Sequence, residues 1–354
     1  MTMRTLLIVS LEFCVGLVTA ADQPGPKPVP RLQALPEPYH QVSFQRDGVE
    51  IARYHFSPDL NRPFVYPLIG PYGRSLTRMG HPGDPDTHAH HYSVWLGFGG
   101  VNGVDFWSDH GRQARGRIVH KRVERLEDGN DIAAAVTFAD WTTSSGKVLL
   151  QEKREVFVKL LPGKEWMLVM NVALDPGDQE VVFDKGVLGP MSVRMAKTIG
   201  VHHGGGTIRN SAGGVNEDGV FRKRARWMDY SGQIDNGVIE GLTLMDHPSN
   251  PRHPAHFHVR DDGWMGALLT HEASLVLAPR TPIQLRYGVY VHAGAPAREL
   301  LDSRWQDFAT APLWPPFGPP RSEKDCLHGD HKRYNTPRSF KSLPECLSFV
   351  KAGK

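Results

Sequence analysis

Alternating apolar and polar positions dominate this chain. Ile132, Ala134, Val136 and Phe138 alternate with other residues, as do Trp166, Leu168, Met170, Val172 and Leu174. Ile283, Leu285, Tyr287, Val289 and Val291 form a further apolar face, opposite Gln284, Arg286, Tyr290 and His292. A period of two is the signature of half-buried strands. Between such runs sit turn pairs: Asp128-Gly129, Pro162-Gly163, Pro176-Gly177, Asp218-Gly219 and Asp262-Gly263. Helical spacing stands out only over Ala297–Phe308, through Leu300, Leu301, Trp305 and Phe308. Many short strands with hardly a helix predict an all-β fold, a large antiparallel β-sandwich with one C-terminal helix.

Residues 1–20 read as an export signal: Arg4 supplies positive charge, Leu6–Val18 is mostly apolar, and Val18-Thr19-Ala20 fits a cleavage site. The Pro-rich run within residues 21–38 reads as an extended linker, residues 39–311 as one β-sandwich domain, and residues 312–354 as a Pro-rich and polar tail. No later stretch approaches the ~20 apolar residues of a membrane-spanning helix. The expected product is exported, periplasmic or extracellular, with no membrane span. Cys326 and Cys346 suit a single disulfide in that compartment.

Charge narrows the partners. With 41 Lys and Arg against 38 Asp and Glu, the chain lacks the basic surplus that nucleic acid or an anionic membrane would attract. A carbohydrate or small-molecule substrate fits better. Eighteen histidines and eight tryptophans are the conspicuous part of the composition.

Those residues concentrate in His88–Trp107, HAHHYSVWLGFGGVNGVDFW. As a strand, the stretch would point His88, His90 and Tyr92 one way and His91, Ser93 and Trp95 the other. Asn102-Gly103 between valines predicts a type I′ hairpin, whose two central residues need positive φ. Asp105 follows, placed to orient an imidazole or to brace the hairpin. Elsewhere His256, His258 and Arg260 share one side of the predicted strand Ala255–Arg260. Histidine titrates near neutrality and can take or give a proton, whereas the arginine fork suits a carboxylate or a diol. The catalytic candidates are therefore His90, His91, His247, His258 and Tyr290. The candidate substrate-binding residues are Asp105, Arg194, Trp227, Tyr230, Arg260, Arg286 and His292. His-x-His pairs also suit metals, but no HExxH or paired CxxC accompanies them, so no metal ligand is assigned and the cofactor is unknown.

The stretch His88–Trp107 resembles an exported bacterial family labelled methane oxygenase PmoA. Further blocks match in order: Ala139-Asp140-Trp141 with Glu152 and Arg154, the segment around Arg194, Arg222–Gly232, Asp246-His247-Pro248 with His253-Pro254, and Leu285-Arg286-Tyr287 with His292. The similarity spans roughly residues 45–295. Similar families look like galactose-mutarotase-type supersandwiches, a fold shared by epimerases, polysaccharide lyases and sugar-binding domains. The resemblance thus implies an exported carbohydrate-active enzyme, a lyase or epimerase acting by His-mediated proton abstraction on a glycan or oxidised sugar. Two alternatives stand beside it: a non-catalytic glycan-binding module, and a metal-dependent hydrolase or oxygenase as the label suggests.

Overall fold

Two large antiparallel sheets stack face to face. The computed structural model describes residues 29–80, 88–109, 115–311, 320, 322–327, 331, 334 and 340–352. The segment read as an export signal, part of the linker and much of the tail lie outside the described residues.

One sheet has nine strands. From edge to edge they are Leu32–Glu37, Gln41–Arg46, Val49–His55, Phe64–Leu68, Val94–Leu96, Pro190–Arg194, Trp264–Leu268, His256–Arg260 and Lys223–Arg224. The other has eight: Thr207–Asn210, Trp227–Asp235, Val238–Asp246, Ile283–Ala293, Trp166–Asp175, Val148–Leu160, Ile132–Thr143 and Gly116–Glu127. A short pair, Val181–Phe183 with Leu275–Leu277, lies beside them. The antiparallel sandwich read from the sequence is the observed architecture.

Alternation explains what lies between the sheets. Leu285, Tyr287, Val289 and Val291 point inward from one sheet, and Val94, Leu96, Met191, Val193, Met265 and Ala267 from the other, into one continuous core. Each large apolar side chain buried there contributes roughly 2–3 kcal/mol relative to exposure. Unusually, the core also takes an ion pair. Arg154 donates to Glu152 at 2.5 Å, and the indole of Trp141 donates to the same carboxylate at 2.6 Å. The long edge strand Gly116–Glu127 carries Arg117, Lys121, Arg122, Glu124 and Arg125 and is bulged twice, which discourages edge-to-edge pairing.

The outer face of the eight-stranded sheet is roofed. Helix Arg298–Thr310 lays Leu301, Trp305 and Phe308 on Met167, Val169, Trp227 and Tyr290. Phe340, Cys346 and Phe349 of the C-terminal segment belong to the same apolar cluster, and a disulfide joins Cys326 to Cys346.

Three sequence expectations are corrected. Six residues assigned to the extended linker form the edge strand Leu32–Glu37, paired with Gln41–Arg46, because Leu32 and Ala34 are buried in the core. The strand expected from His88 starts only at Val94. His88 and Ser93 have φ of 63° and 57°, and the amide of His91 donates to the carbonyl of His88, so the histidines occupy a turn. The tail is not wholly polar, since the helix Leu343–Lys351 packs through Cys346 and Phe349. The Asn102-Gly103 turn is as expected: φ is 50° and 74°, and Val101 and Val104 exchange backbone hydrogen bonds.

Candidate active site

The outer face of the nine-stranded sheet gathers several of the candidate residues. Because Val94, Met191, Met265 and Phe257 face the core, their neighbours face outward. Strand register then aligns Phe64, Trp95, Ser192, Gly266 and His258 in one row across five strands. Arg194, Trp264 and Arg260 form the next row. Gly266 keeps this floor open, since a Cβ there would lie 2.6 Å from the Ser192 hydroxyl.

The histidine turn folds over this floor. The imidazole of His91 lies 5.0 Å from the indole of Trp95 and 5.3 Å from that of Trp264, centroid to centroid. His88 and His90 each lie 4.7 Å from His91. On the far side, the ring of His258 is 4.1 Å from Trp264 and 5.0 Å from Phe221. Two imidazoles thus flank one buried indole.

Hydrogen bonds fix the turn in place. Gly80 donates to the carbonyl of His91 at 2.7 Å, Ser93 donates to Thr77 at 2.7 Å, and the amide of Arg194 donates to the carbonyl of Ser93 at 2.6 Å. The buried Arg62 donates to the carbonyl of His90 at 3.1 Å and to Asp109 at 2.6 Å, with its guanidinium over the Tyr92 ring. The Tyr92 hydroxyl also donates to Asp109.

Electrostatics keep the imidazoles uncharged. Burial lowers His90 to about 4, with Arg62 adding to the effect. Burial likewise lowers His258 to about 4, against the opposing pull of the Val187 carbonyl. His91 is pushed much further down by burial and then by His90 and Arg194. Desolvation penalises the protonated ring, and nearby cations penalise it again. Burial and the Asp109 carboxylate raise the Tyr92 phenol to about 12. Nδ1 of His258 lies 3.1 Å from the Val187 carbonyl. A carbonyl can only accept, so that nitrogen holds the proton and Nε2 keeps its lone pair.

Cations border the same face. The fully buried Arg194 is paired with Asp262 at 2.9 Å, and Arg260 lies 3.8 Å from the same carboxylate. Among the described residues, the buried polar atoms of this face without a hydrogen-bond partner include His91 Nδ1, Ser192 Oγ and the indole nitrogens of Trp95 and Trp264. Buried polar atoms are seldom left so, and these cluster around the Trp95 and Trp264 indoles.

Of the residues singled out in the sequence, His90, His91, His258, Arg194 and Arg260 come together here. Asp105 is adjacent, but its carboxylate accepts from the amides of Trp107 and Ser108 at 2.7 and 3.1 Å, which braces the chain and removes it from the binding set. Of the remaining six, five lie in strands of the eight-stranded sheet and His247 directly follows its strand Val238–Asp246. Tyr290 donates to Glu165 at 2.5 Å beneath Arg304. His292 pairs with the buried Asp229 at 2.9 Å. Trp227 donates to Asp302, and Arg286 lies over Phe308 and donates to the carbonyl of Ala311. His247 bonds Ser249 and packs edge-on against Phe308. Tyr230 faces inward, its hydroxyl bridging the amide of Val201 and the carbonyl of Asp261. Beside His247, the buried Asp246 bonds the His253 ring at 2.6 Å.

Arg62, Asp109, Phe221, Asp262 and Trp264 were not among the sequence's site candidates, and Tyr92 entered only as a strand neighbour of His88 and His90. Asp262-Gly263 registered only as a turn, and the tryptophan following that turn was its one available signal.

No curated protein sequence matches this chain. Among solved structures, a heparan sulfate lyase mutant from Pedobacter heparinus is similar at 9% identity with a TM-score of 0.40, covering 76% of this chain and 38% of that one. The chain therefore spans well under half the length of that lyase. A galactose 1-epimerase from Lactobacillus acidophilus NCFM is similar at 8% identity with a TM-score of 0.37, covering 72% of this chain and 95% of that one. Residues 41–306 match the profile of a family of unknown function, DUF6807, and the chain belongs to that family.

Proposed function

We propose that this chain is an exported carbohydrate-active enzyme, a lyase or epimerase, working by proton abstraction on the outer face of the nine-stranded sheet. The observation that carries this reading is His258. Its Nδ1–H is held by the Val187 carbonyl and its ring is kept neutral by burial, so Nε2 is free to accept a proton. Cations stand where negative charge would develop, with Arg260 two residues along the same strand face and Arg194 in the adjoining row. The Cys326–Cys346 disulfide supports an oxidising compartment.

In this scheme His258 Nε2 takes the proton from the carbon next to a sugar carboxyl or carbonyl group. The C–H electron pair moves into an enolate whose oxygen the arginines hold. In elimination the neighbouring C–O bond then breaks, and the departing oxygen receives the proton from His258. In epimerisation the enolate turns its other face to the base and takes the proton back from His258, which is left neutral. The buried indoles of Trp95 and Trp264 wall the site and hold the rings of His91 and His258 in place.

The test is incubation of the purified protein with neutral and oxidised oligosaccharides in D2O. Absorbance reads a new conjugated double bond, and mass spectrometry reads deuterium gained at carbon. Turnover is expected to fall ~100-fold or more in His258→Ala, and to survive in His247→Gln and Tyr290→Phe. Sugar binding with no product across the panel would overturn the enzyme reading in favour of a binding module. Turnover that required an added metal would overturn the proton-abstraction chemistry.

A further inference from the structure

Beside His258 the chain makes a turn that the catalytic scheme leaves unused. Arg222 has a φ of 54°, a left-handed conformation that side-chain-bearing residues adopt at a cost of roughly 1–3 kcal/mol. The strain is held by a backbone bond from Arg222 to the carbonyl of Phe257, at 2.8 Å. It brings the guanidinium over the Phe221 ring, at 4.8 Å, and that ring lies edge-on to His258. Arg260 projects from the same strand face as His258 and is substantially exposed. Both guanidiniums depress the basicity of His258.

The neighbouring charges are largely committed elsewhere. Asp262 serves Arg194 at 2.9 Å before Arg260 at 3.8 Å. Glu272 serves Arg224 at 2.7 Å and faces His256 at 3.5 Å. Arg224 also donates to the carbonyls of Arg252 and Pro254, and Lys223 donates to the carbonyl of Asp218. His271, with Lys185 and Arg222 near it, is held below its ordinary value by burial first and then by Arg222. Among the described residues Arg222 has no ion-pair partner, and Arg260 has only the distant shared one.

We propose that Arg222 and Arg260 form an anion-recognising rim around His258, selecting a saccharide that carries a carboxylate or a sulfate. Two guanidiniums on either side of the base would hold an anionic group beside the carbon that loses its proton. The inference rests on the proposed function for its sugar, but its test reads binding and not turnover.

The test is titration of the full chain with methyl glucuronide, glucose 6-sulfate and methyl glucoside at low and high salt. Either anion, or both, is expected to bind at least ~10-fold more tightly than the glucoside, with the difference shrinking as salt rises. The anion that binds names the group. Arg222→Gln and Arg260→Gln should each weaken anion binding ~10-fold, and Arg222→Gln should leave the glucoside unaffected. Lys223→Gln, on the opposite strand face, should change neither. A thermal melt of each variant separates lost affinity from lost fold, and Arg260→Lys keeps charge without the fork should Arg260→Gln fold poorly. Equal affinity for glucoside and anions, or unchanged anion binding in folded arginine variants, would overturn the rim. Anion binding without turnover of any sugar would leave the rim standing and remove the enzyme.

Discussion

The imidazole of His258 rests 4.1 Å from the indole of Trp264, inclined to it by 60°. The same indole lies 5.3 Å from His91. One buried tryptophan therefore separates the proposed base, His258, from His91. Trp264→Ala would remove the spacer and open a cavity in the sheet's outer face, at a stability cost of about 3–5 kcal/mol. Denaturant unfolding measures the loss. With water admitted, the His258 proton affinity should rise toward its ordinary value, which NMR titration of the ring follows. A loss below about 1 kcal/mol would mean that the indole is not packed as described.

Acid should destabilise the protein through its buried histidines. His90 and His258 are lowered from 6.5 to about 4, as is His247 under the helix Arg298–Thr310. A base whose folded-state value is depressed binds its proton more readily when unfolded. The unfolded chain is therefore favoured as pH falls below 6.5, and the stability is lost progressively down to about 4. The denaturation midpoint should be flat above pH 7 and fall between pH 6.5 and 4, with a shallower fall in His258→Gln. A midpoint that rose on acidification through that window would contradict the burial of these rings. Activity should likewise persist below pH 6.5, because the ring that accepts the proton stays neutral there.

The ion pair inside the sandwich sets a second expectation. Glu152 and Arg154 are both buried, and Trp141 donates to the same carboxylate. Glu152→Gln leaves a buried guanidinium without its counter-charge and should cost about 3–5 kcal/mol. Replacing both partners by Met should recover most of that loss, since two apolar side chains carry no desolvation penalty. Equilibrium unfolding of the single and double variants decides it, and a harmless Glu152→Gln would refute the pairing.

The roofed sheet offers a packing test remote from the candidate site. A Cβ at Gly241 would lie 2.6 Å from the His292 ring and 2.6 Å from the carbonyl of Tyr230. A backbone carbonyl cannot swing away, so Gly241→Ala should push His292 off Asp229 and cost about 1–3 kcal/mol. Thermal unfolding reads the cost. Turnover per folded molecule should not change, and a selective loss of turnover would return His292 to the active machinery.

Strand faces were legible in the sequence because a period of two survives in the residue order. His256, His258 and Arg260 do share a face, as do Arg286, Tyr290 and His292. Sheet membership was not legible. Nothing local to Ile283–Ala293 says that it joins the eight-stranded sheet, or that Leu301, Trp305 and Phe308 will cover its polar side. The sequence therefore pooled histidines from two outer faces that the sandwich separates. The turn at His88–Ser93 was hidden for another reason. Its positive φ values fall on His and Ser, not on the Gly or Asn that would announce them. Arg62 and Asp109 were invisible because their pairing joins residues 47 apart through the fold.

The direct measurement is a crystal structure of the protein with a saccharide that it binds. Density for the sugar is expected over Trp264, with a polar group within hydrogen-bond distance of His258 Nε2 and an anionic group between Arg222 and Arg260. A sugar seated instead beneath the helix Arg298–Thr310, against Tyr290 and Arg286, would contradict the assignment of the active face.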